Sequence, residues 1–349
     1  MMERHTRSVL AVLAGLALIA GCGTRARRDT RPSAASAGTP VTGTVLEQQF
    51  EQVVKKVLPS VVQINTDSGL GSGIVYDNKG DIVTNDHVVA GARRLQVTTP
   101  SSKRPLPATL VGEFSANDLA VVRVKNAPLT PATFGDSARL AVGQIVLAMG
   151  NPLGLSGSVT NGIISALGRT VSSQREGAFP GATIAGAVQT SAPINPGNSG
   201  GALVTLANQV VGIPTLTVSD PQIGGAAAGI GFAIPSNTVK LIADQLIASG
   251  RVKESGRAAI GAKVRTVVDL RGEVEGVGVV SVTPGGPAEK AGIAADDVIL
   301  SINGVRTPTT TALAEALAAL KPGQKVKAQI MRPDGARETV TITLGQLPG

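Results

Sequence analysis

From residue 60 to about 234 the chain runs in short β-branched segments cut by Gly, Asn, Asp and Pro: SVVQI, SGIVYD, DIVTN, RLQVTT, LAVVRV, QIVLAMG, GIISAL, AVQT, QVVGIP and GIGFAIP. Val, Ile and Thr suit a pleated, half-buried surface, and the breakers restart the chain every few residues. Almost no helical spacing interrupts this rhythm, which restricts the region to an all-β sandwich or barrel. Asn78-Lys79-Gly80, between SGIVYD and DIVTN, reads as a hairpin turn. No internal sequence repeat is evident. Aromatic residues make up only 2% of the chain and Trp is absent, so the cores must be built from Val, Ile, Leu and Ala. The same poverty removes the stacking platforms that single-stranded nucleic acid needs.

The flanks differ. Arg4 and Arg7 precede an apolar stretch at 8–20, too short to span a membrane comfortably, which ends in Ile19-Ala20-Gly21-Cys22. Residues 1–21 read as a lipoprotein signal peptide, with cleavage before Cys22 and lipidation of its thiol and new amine. Two or more acyl chains anchor stably where one is marginal. This places the protein outside the cytoplasm on a membrane, in the cell envelope or periplasm. Cys22 is the only cysteine, so no intramolecular disulfide and no cysteine zinc site can form. Residues 22–44, rich in Arg, Ser, Thr, Ala, Gly and Pro, have little to bury and read as a disordered tether. Of the net charge of +8, half lies in the first 31 residues, which leaves weak support for a basic nucleic-acid surface.

A helix over 45–58 carries Leu46, Phe50, Val53, Val54 and Val57 on one face until Pro59 stops it. Another, over 235–250, has Ser236 or Asn237 as its cap and Gly250 as its stop. These bound a domain over 45–250. Residues 251–259 are polar and read as a hinge. Residues 260–349, with five strand patterns and two helical stretches, form a separate α+β module.

Gly197-Asn198-Ser199-Gly200-Gly201 places one hydroxyl among glycines, which permit unusual dihedrals and close approach. A serine nucleophile needs a base. His5 falls in the signal peptide, so His87 is the one imidazole of the mature chain; it ends the strand DIVTN, with Gly69, Gly71 and Gly73 as a loop ahead of it. The base needs an orienting carboxylate. Between His87 and Ser199 stand two aspartates, Asp118 and Asp136. Asp118 opens the apolar strand LAVVRV, where a carboxylate is costly without a partner; Asp136 reads as a turn or cap residue. No His follows Ser199, which excludes the acid-then-His order of the α/β-hydrolases. The order Asp…His…Ser, through Asp67, Asp77 or Asp81, requires an α/β fold at odds with the strands. The order His…Asp…Ser remains, with the N–H groups of Gly197 and Ser199 as an oxyanion hole. One mature His and one Cys cannot assemble a metal site, and no cofactor is implied.

TNDHVV (84–89), NDLAVVRV (117–124) and INPGNSGG (194–201) resemble the His, Asp and Ser motifs of the HtrA/Deg family of trypsin-like serine proteases. FGDSARLAVGQIVLAMGNPLGL (134–155), VTNGIISALGR (159–169) and GIGFAIPSN (229–237) are similar to further family segments. GVVSVTPGGPAEKAGIAADDVILSINGV (278–305) resembles a PDZ domain. The resemblance implies a mainly β protein, with a trypsin-like double β-barrel followed by an α+β PDZ-like domain. It implies catalytic His87, Asp118 and Ser199 and degradation of unfolded or damaged proteins. It places substrate against Ile230, Gly231, Phe232, Ile194 and Asn195. It gives Ala259, Ile260, Gly261 and Ala262 as a loop whose N–H groups capture a peptide carboxylate. It also implies a homotrimer. Pro193 stands near the expected wall of the specificity pocket, where the family has a different stretch. The alternative reading is a chaperone or peptide-sensing protein with a resting, inactive triad.

Overall fold

The structure is a computed structural model that describes residues 41–67, 69–152, 157–173, 177–195, 197–220, 225–268 and 272–349. The signal-peptide and tether readings, His5 and Cys22 lie outside these residues. Helix α1 (Val41–Val57) leads into the first barrel. Its inward face buries Val53 and Val57 in the main core, with Phe50 and Val54 packed beside them.

The first barrel has six strands: β1 (Val61–Thr66), β2 (Leu70–Val75), β3 (Asp81–Thr84), β4 (Leu95–Thr99), β5 (Ser102–Phe114) and β6 (Leu119–Val124). They close in the order β1-β2-β3-β6-β5-β4. The second has β7 (Ile145–Gly150), β8 (Ser158–Ser172), β9 (Thr183–Thr190), β10 (Ala202–Thr205), β11 (Val210–Asp220) and β12 (Gly225–Pro235). Read from β7, its ring runs β7-β8-β9-β12-β11-β10, which repeats the first barrel's topology. The architecture is therefore duplicated although the sequence shows no repeat, because each barrel needs only its own alternation of apolar side chains. Ile64, Ile82 and Val122 fill one interior; Val146, Ile164 and Leu203 fill the other.

Strand β5 carries Pro105 and Pro107, and the sequence pattern missed it; Pro107 pairs with Gln96 and Leu106 with Val97 all the same. Gly71, expected in a loop, lies in β2 with Gly73 of the SGIVYD segment. A Cβ on Gly73 would sit 2.6 Å from Ile82 and 2.9 Å from Ile64, so these glycines serve close packing.

A short helix α2 (Asp86–Val89) follows β3, and α3 (Ser236–Ser249) follows β12. Helix α3 ends at Gly250 in the left-handed region (φ 71°), as the sequence indicates. Its expected side-chain cap is absent: Pro235 holds the cap position, Ser236 Oγ donates to the Gly135 carbonyl and Asn237 donates to Asp136. Those two side chains tie the helix to the turn at 135–139. Asp136 also caps that turn by accepting from Ala138 N at 2.9 Å.

The C-terminal module holds β13 (Ala258–Ala259), β14 (Ala262–Val268), β15 (Val274–Val282), α4 (Pro287–Lys290), β16 (Val298–Ile302), β17 (Val305–Arg306), α5 (Thr310–Ala318), β18 (Lys325–Met331), β19 (Arg337–Thr343) and β20 (Gly345–Gln346). Five strands run β14-β15-β16-β18-β19, β17 adds to β16, and β13 pairs with β20. Ile260, Val277, Ile299, Leu313, Val326 and Ile342 are among its core residues. The segment expected as a hinge is tied down. Val252 is 1% exposed within the main core, and Gln245 Oε1 accepts from Lys253 N and Glu254 N. No helix among the described residues is long and apolar enough to cross a membrane.

Candidate active site

His87 lies on α2, one residue past the buried Asp86, where β3 gives way to a helical turn. Asp118 follows the helical turn Ser115–Asn117 and takes a left-handed conformation (φ 53°), which aspartate tolerates better than most residues. That conformation aims its carboxylate at α2. His87 N donates to Asp118 Oδ1 at 2.9 Å, and His87 Nδ1 lies 2.8 Å from Oδ2 and 3.0 Å from Oδ1. The carboxylate is 1% exposed. An ionised carboxylate only accepts, so Nδ1 carries the hydrogen and Nε2 is left to take a proton. Asn85 Nδ2 donates to the Asp118 carbonyl at 2.9 Å, which pins the same turn.

The third donor comes from the other barrel. Thr215 Oγ1, on β11, donates to Asp118 Oδ2. Sequence reasoning missed Thr215, which shares its strand with Thr217 and Ser219 and has no local signal to set it apart.

Ser199 is half-buried in the turn between β9 and β10. Its carbonyl accepts from Ser72 N at 2.9 Å. Ser72, fully buried on β2, also donates from Oγ to the Gly197 carbonyl at 2.5 Å and accepts from Asn151 N at 2.8 Å. Its own carbonyl accepts from Thr84 Oγ1 at 2.7 Å, three residues before His87. One first-barrel serine thus clamps the serine turn beside the histidine strand; this too escaped the sequence reading. Gly197 has φ 103°, and a Cβ there would meet Pro152 at 2.3 Å.

A cleft of about 450 Å³ opens beside His87, lined by Asp67, Ala90, Gly91, Ala178 and Phe179. The Phe179 ring stands edge-on to the imidazole, with centroids 5.8 Å apart, and is 4% exposed. Of the residues expected to hold substrate, Gly231 meets Ile194, since a Cβ on Gly231 would lie 2.5 Å from its side chain. Asn195 is exposed and Ile230 half-buried. Phe232 and Ile194 are each 6% exposed and packed in core clusters. The carbonyl of Pro193, itself exposed, accepts from Thr160 Oγ1 and Asn198 Nδ2. Ala259, Ile260, Gly261 and Ala262 come together along a groove of about 330 Å³, faced by Leu313 and Leu317 of α5.

Burial pushes the Asp86 carboxyl from 3.8 up to about 6; Glu113 and Asp118 nearby act in the same direction, against Ser115. The folded state therefore binds a proton that the unfolded chain has lost between about pH 4 and 6. Stability falls as pH rises through that window and stays lower above it. Asp86→Asn removes the charge, and at pH 7.5 it should stabilise the fold by about 2–3 kcal/mol. The thermal midpoint should rise by several degrees at pH 7.5 and little at pH 4.5; equal shifts at both would contradict the assignment.

Two closed six-stranded barrels with a carboxylate-held histidine on one and a glycine-walled serine on the other define the trypsin-like class of serine peptidase. The sequence matches the trypsin-like peptidase domain over residues 71–213 and the PDZ domain over 258–344. The chain belongs to the HtrA family of serine proteases. It is 40% identical over 333 residues to serine protease PepD of Mycobacterium tuberculosis, covering 90% of this chain and 70% of that one. It is 35% identical to the periplasmic pH-dependent serine endoprotease DegQ of Escherichia coli, covering 88% and 66%. The HtrA-type protease AlgW, solved with a decapeptide, superposes with a TM-score of 0.57 at 30% identity over 86% of this chain and 99% of that one. The chain spans 55–70% of the length of the first curated relatives it matches.

Proposed function

We propose that the protein is an exported serine endopeptidase that cuts unfolded or damaged polypeptides outside the cytoplasm. Ser199 attacks the peptide carbonyl. His87 takes its proton and returns it to the leaving amine, while Asp118 holds His87 in the tautomer that makes this possible. The N–H groups of Gly197 and Ser199 receive the developing oxyanion. Water then hydrolyses the acyl-enzyme by the same route. The observation that carries this reading is the buried Asp118 carboxylate, which accepts from both the backbone and the ring of His87 and from Thr215. A structural aspartate has no need of an imidazole at the mouth of a cleft.

Substrate lies against Gly231 and the Ile194–Asn195 segment. The groove at Ala259–Ala262 takes peptide C-termini, with the peptide added as a strand beside β14. Cys22 carries the lipid anchor, and α1 contributes to a homotrimer, in keeping with its exposed Val45 and Leu46. The test is labelling of the mature protein with a serine-directed fluorophosphonate beside cleavage of unfolded casein. Labelling with cleavage supports the reading; binding of casein without either points to a chaperone with a resting triad. Cys22→Ser should move the protein from the membrane fraction to the soluble one, and retention in the pellet would refute the anchor.

A further inference from the structure

The cleft beside His87 lies apart from the segments proposed to hold the acyl half of the substrate. Its walls come from three connections: the turn between β1 and β2 (Asp67), the segment after α2 (Ala90, Gly91) and the link between β8 and β9 (Gly177, Ala178, Phe179). Neither the Ile194–Asn195 segment nor Gly231 lines it. His87 borders it, and His87 is the group that returns a proton to the leaving amine. The cleft is therefore where the first residue of the leaving fragment must sit.

The walls are small. A Cβ on Gly91 (φ 70°) would lie 2.7 Å from the Ala178 side chain, so the connections of the two barrels touch there. Small side chains leave about 450 Å³ open. A long side chain can lay its methylene stem along such a wall and keep its end in water. Asp67 is exposed at the rim and, besides His87, is the one ionisable side chain among the described residues that line the cleft. Its place is set in advance. Thr66 N and Oγ1 donate to the Gly69 carbonyl at 2.9 and 3.0 Å, Gly69 N donates to Thr66 Oγ1 at 2.9 Å, and Asp67 Oδ1 accepts from Arg93 N at 3.1 Å. The N–H groups of Asp67 itself, Arg93 and Arg94 hold the carboxyl below its usual range, so it is charged at neutral pH. A carboxylate has about four lone-pair sites, more than those donors fill.

The geometry points to Asp67 as a specificity-determining residue: the cleft takes the side chain of the residue that follows the scissile bond, and Asp67 selects lysine or arginine there. The inference rests on the proposed roles of Ser199 and His87. An aromatic side chain would cover the carboxylate without pairing it, and an acidic one would be repelled. The Arg93 charge lies close enough to act on the same carboxyl. It offsets part of the attraction, and the site is open to water, so the preference is modest.

The test uses the full mature protein and reads how its acyl-enzyme divides between added amines. The acyl donor is an acetylated tripeptide ester that ends in valine. The amine attacks the ester carbonyl of the acyl-enzyme: the C–N bond forms, the C–O bond to Ser199 breaks, and the amine's proton passes through His87 to Oγ. Argininamide and citrullinamide have nearly the same shape and differ in charge. The ratio of their two products therefore isolates charge and cancels any change in overall rate. In the wild type argininamide should be favoured about three- to fivefold, near the upper end for an exposed ion pair. The ratio should fall toward unity at high salt. It should fall likewise in Asp67→Asn, whose amide oxygen keeps an acceptor for Arg93 N. A ratio near unity in the wild type, or one unchanged in Asp67→Asn, overturns the inference. If that variant fails to fold, a wild-type preference that survives high salt overturns it. Selectivity confined to glycyl-argininamide over glycyl-citrullinamide overturns the assignment to the first leaving residue. Absence of both fluorophosphonate labelling and an acyl-enzyme overturns the proposed peptidase chemistry instead.

Discussion

Ser199→Ala should abolish fluorophosphonate labelling and reduce casein cleavage by about 10⁵–10⁶-fold, the loss seen when a triad acts as one unit. The thermal midpoint should stay within about a degree. The substitution removes one half-buried hydroxyl, while the Ser199 carbonyl still accepts from Ser72 N and Gly200 N still donates to the Pro214 carbonyl at 3.2 Å. Asp118→Asn offers a graded comparison. The amide presents a donor toward His87 and favours the wrong tautomer, which costs roughly 10⁴-fold. It should leave the serine labelling slowly rather than not at all. Equal and total loss in both variants, with normal melting, would mean that Asp118 does more than orient the base.

The second large effect concerns a glycine two barrels share. Gly200 has φ 79°, and a Cβ there would lie 2.1 Å from the Ser72 carbonyl and 2.4 Å from Thr84 Oγ1. Neither neighbour can retreat. The carbonyl belongs to β2 and accepts from Thr84, and both residues are fully buried. Gly200→Ala should therefore cost about 4 kcal/mol or more, the range reserved for backbone clashes in a packed interior. A fall of roughly 10 °C in thermal midpoint should accompany loss of labelling. Gly143→Ala separates the causes. Its φ of 89° is equally unfavourable for a side chain, but a Cβ there meets nothing within 4 Å. It should cost only the backbone strain, about 1–2 kcal/mol. Equal shifts for the two would show that the dihedral matters and the contact with Ser72 does not. The contrast isolates the seam between the barrels, which is where the site lies.

That seam explains why the two halves of the site were unequally legible. His87, Asp118 and Ser199 stand out as candidates because the chain offers so few rivals: one histidine beyond the N-terminal stretch, two aspartates between it and the serine, and a serine walled by glycine. Chain order then leaves the His…Asp…Ser arrangement, and the choice of Asp118 over Asp136 rests on its place at the head of an apolar strand and on the family resemblance. Thr215 and Ser72 offered no such scarcity. The chain has many hydroxyls, and what singles these out is the partner each meets across the barrels, 97 residues away for Thr215 and 125 for Ser72. Which face of β12 turns inward likewise depends on the ring that closes around it.

Local sequence determined whatever depends on neighbours along the chain. The strand rhythm of 60–234, the stops at Pro59 and Gly250, and the α+β character of the last module all follow from propensity and breakers acting within a few residues. Tertiary structure decided the rest. It closed two barrels in one repeated order without a repeated sequence, and it drew β5 into a ring despite its two prolines. It carried the Arg257 side chain 141 positions along the chain to the Ala116 carbonyl. Contacts at such separations leave no period in the sequence, because their energy comes from burial and from hydrogen bonds that exist only once both barrels have closed.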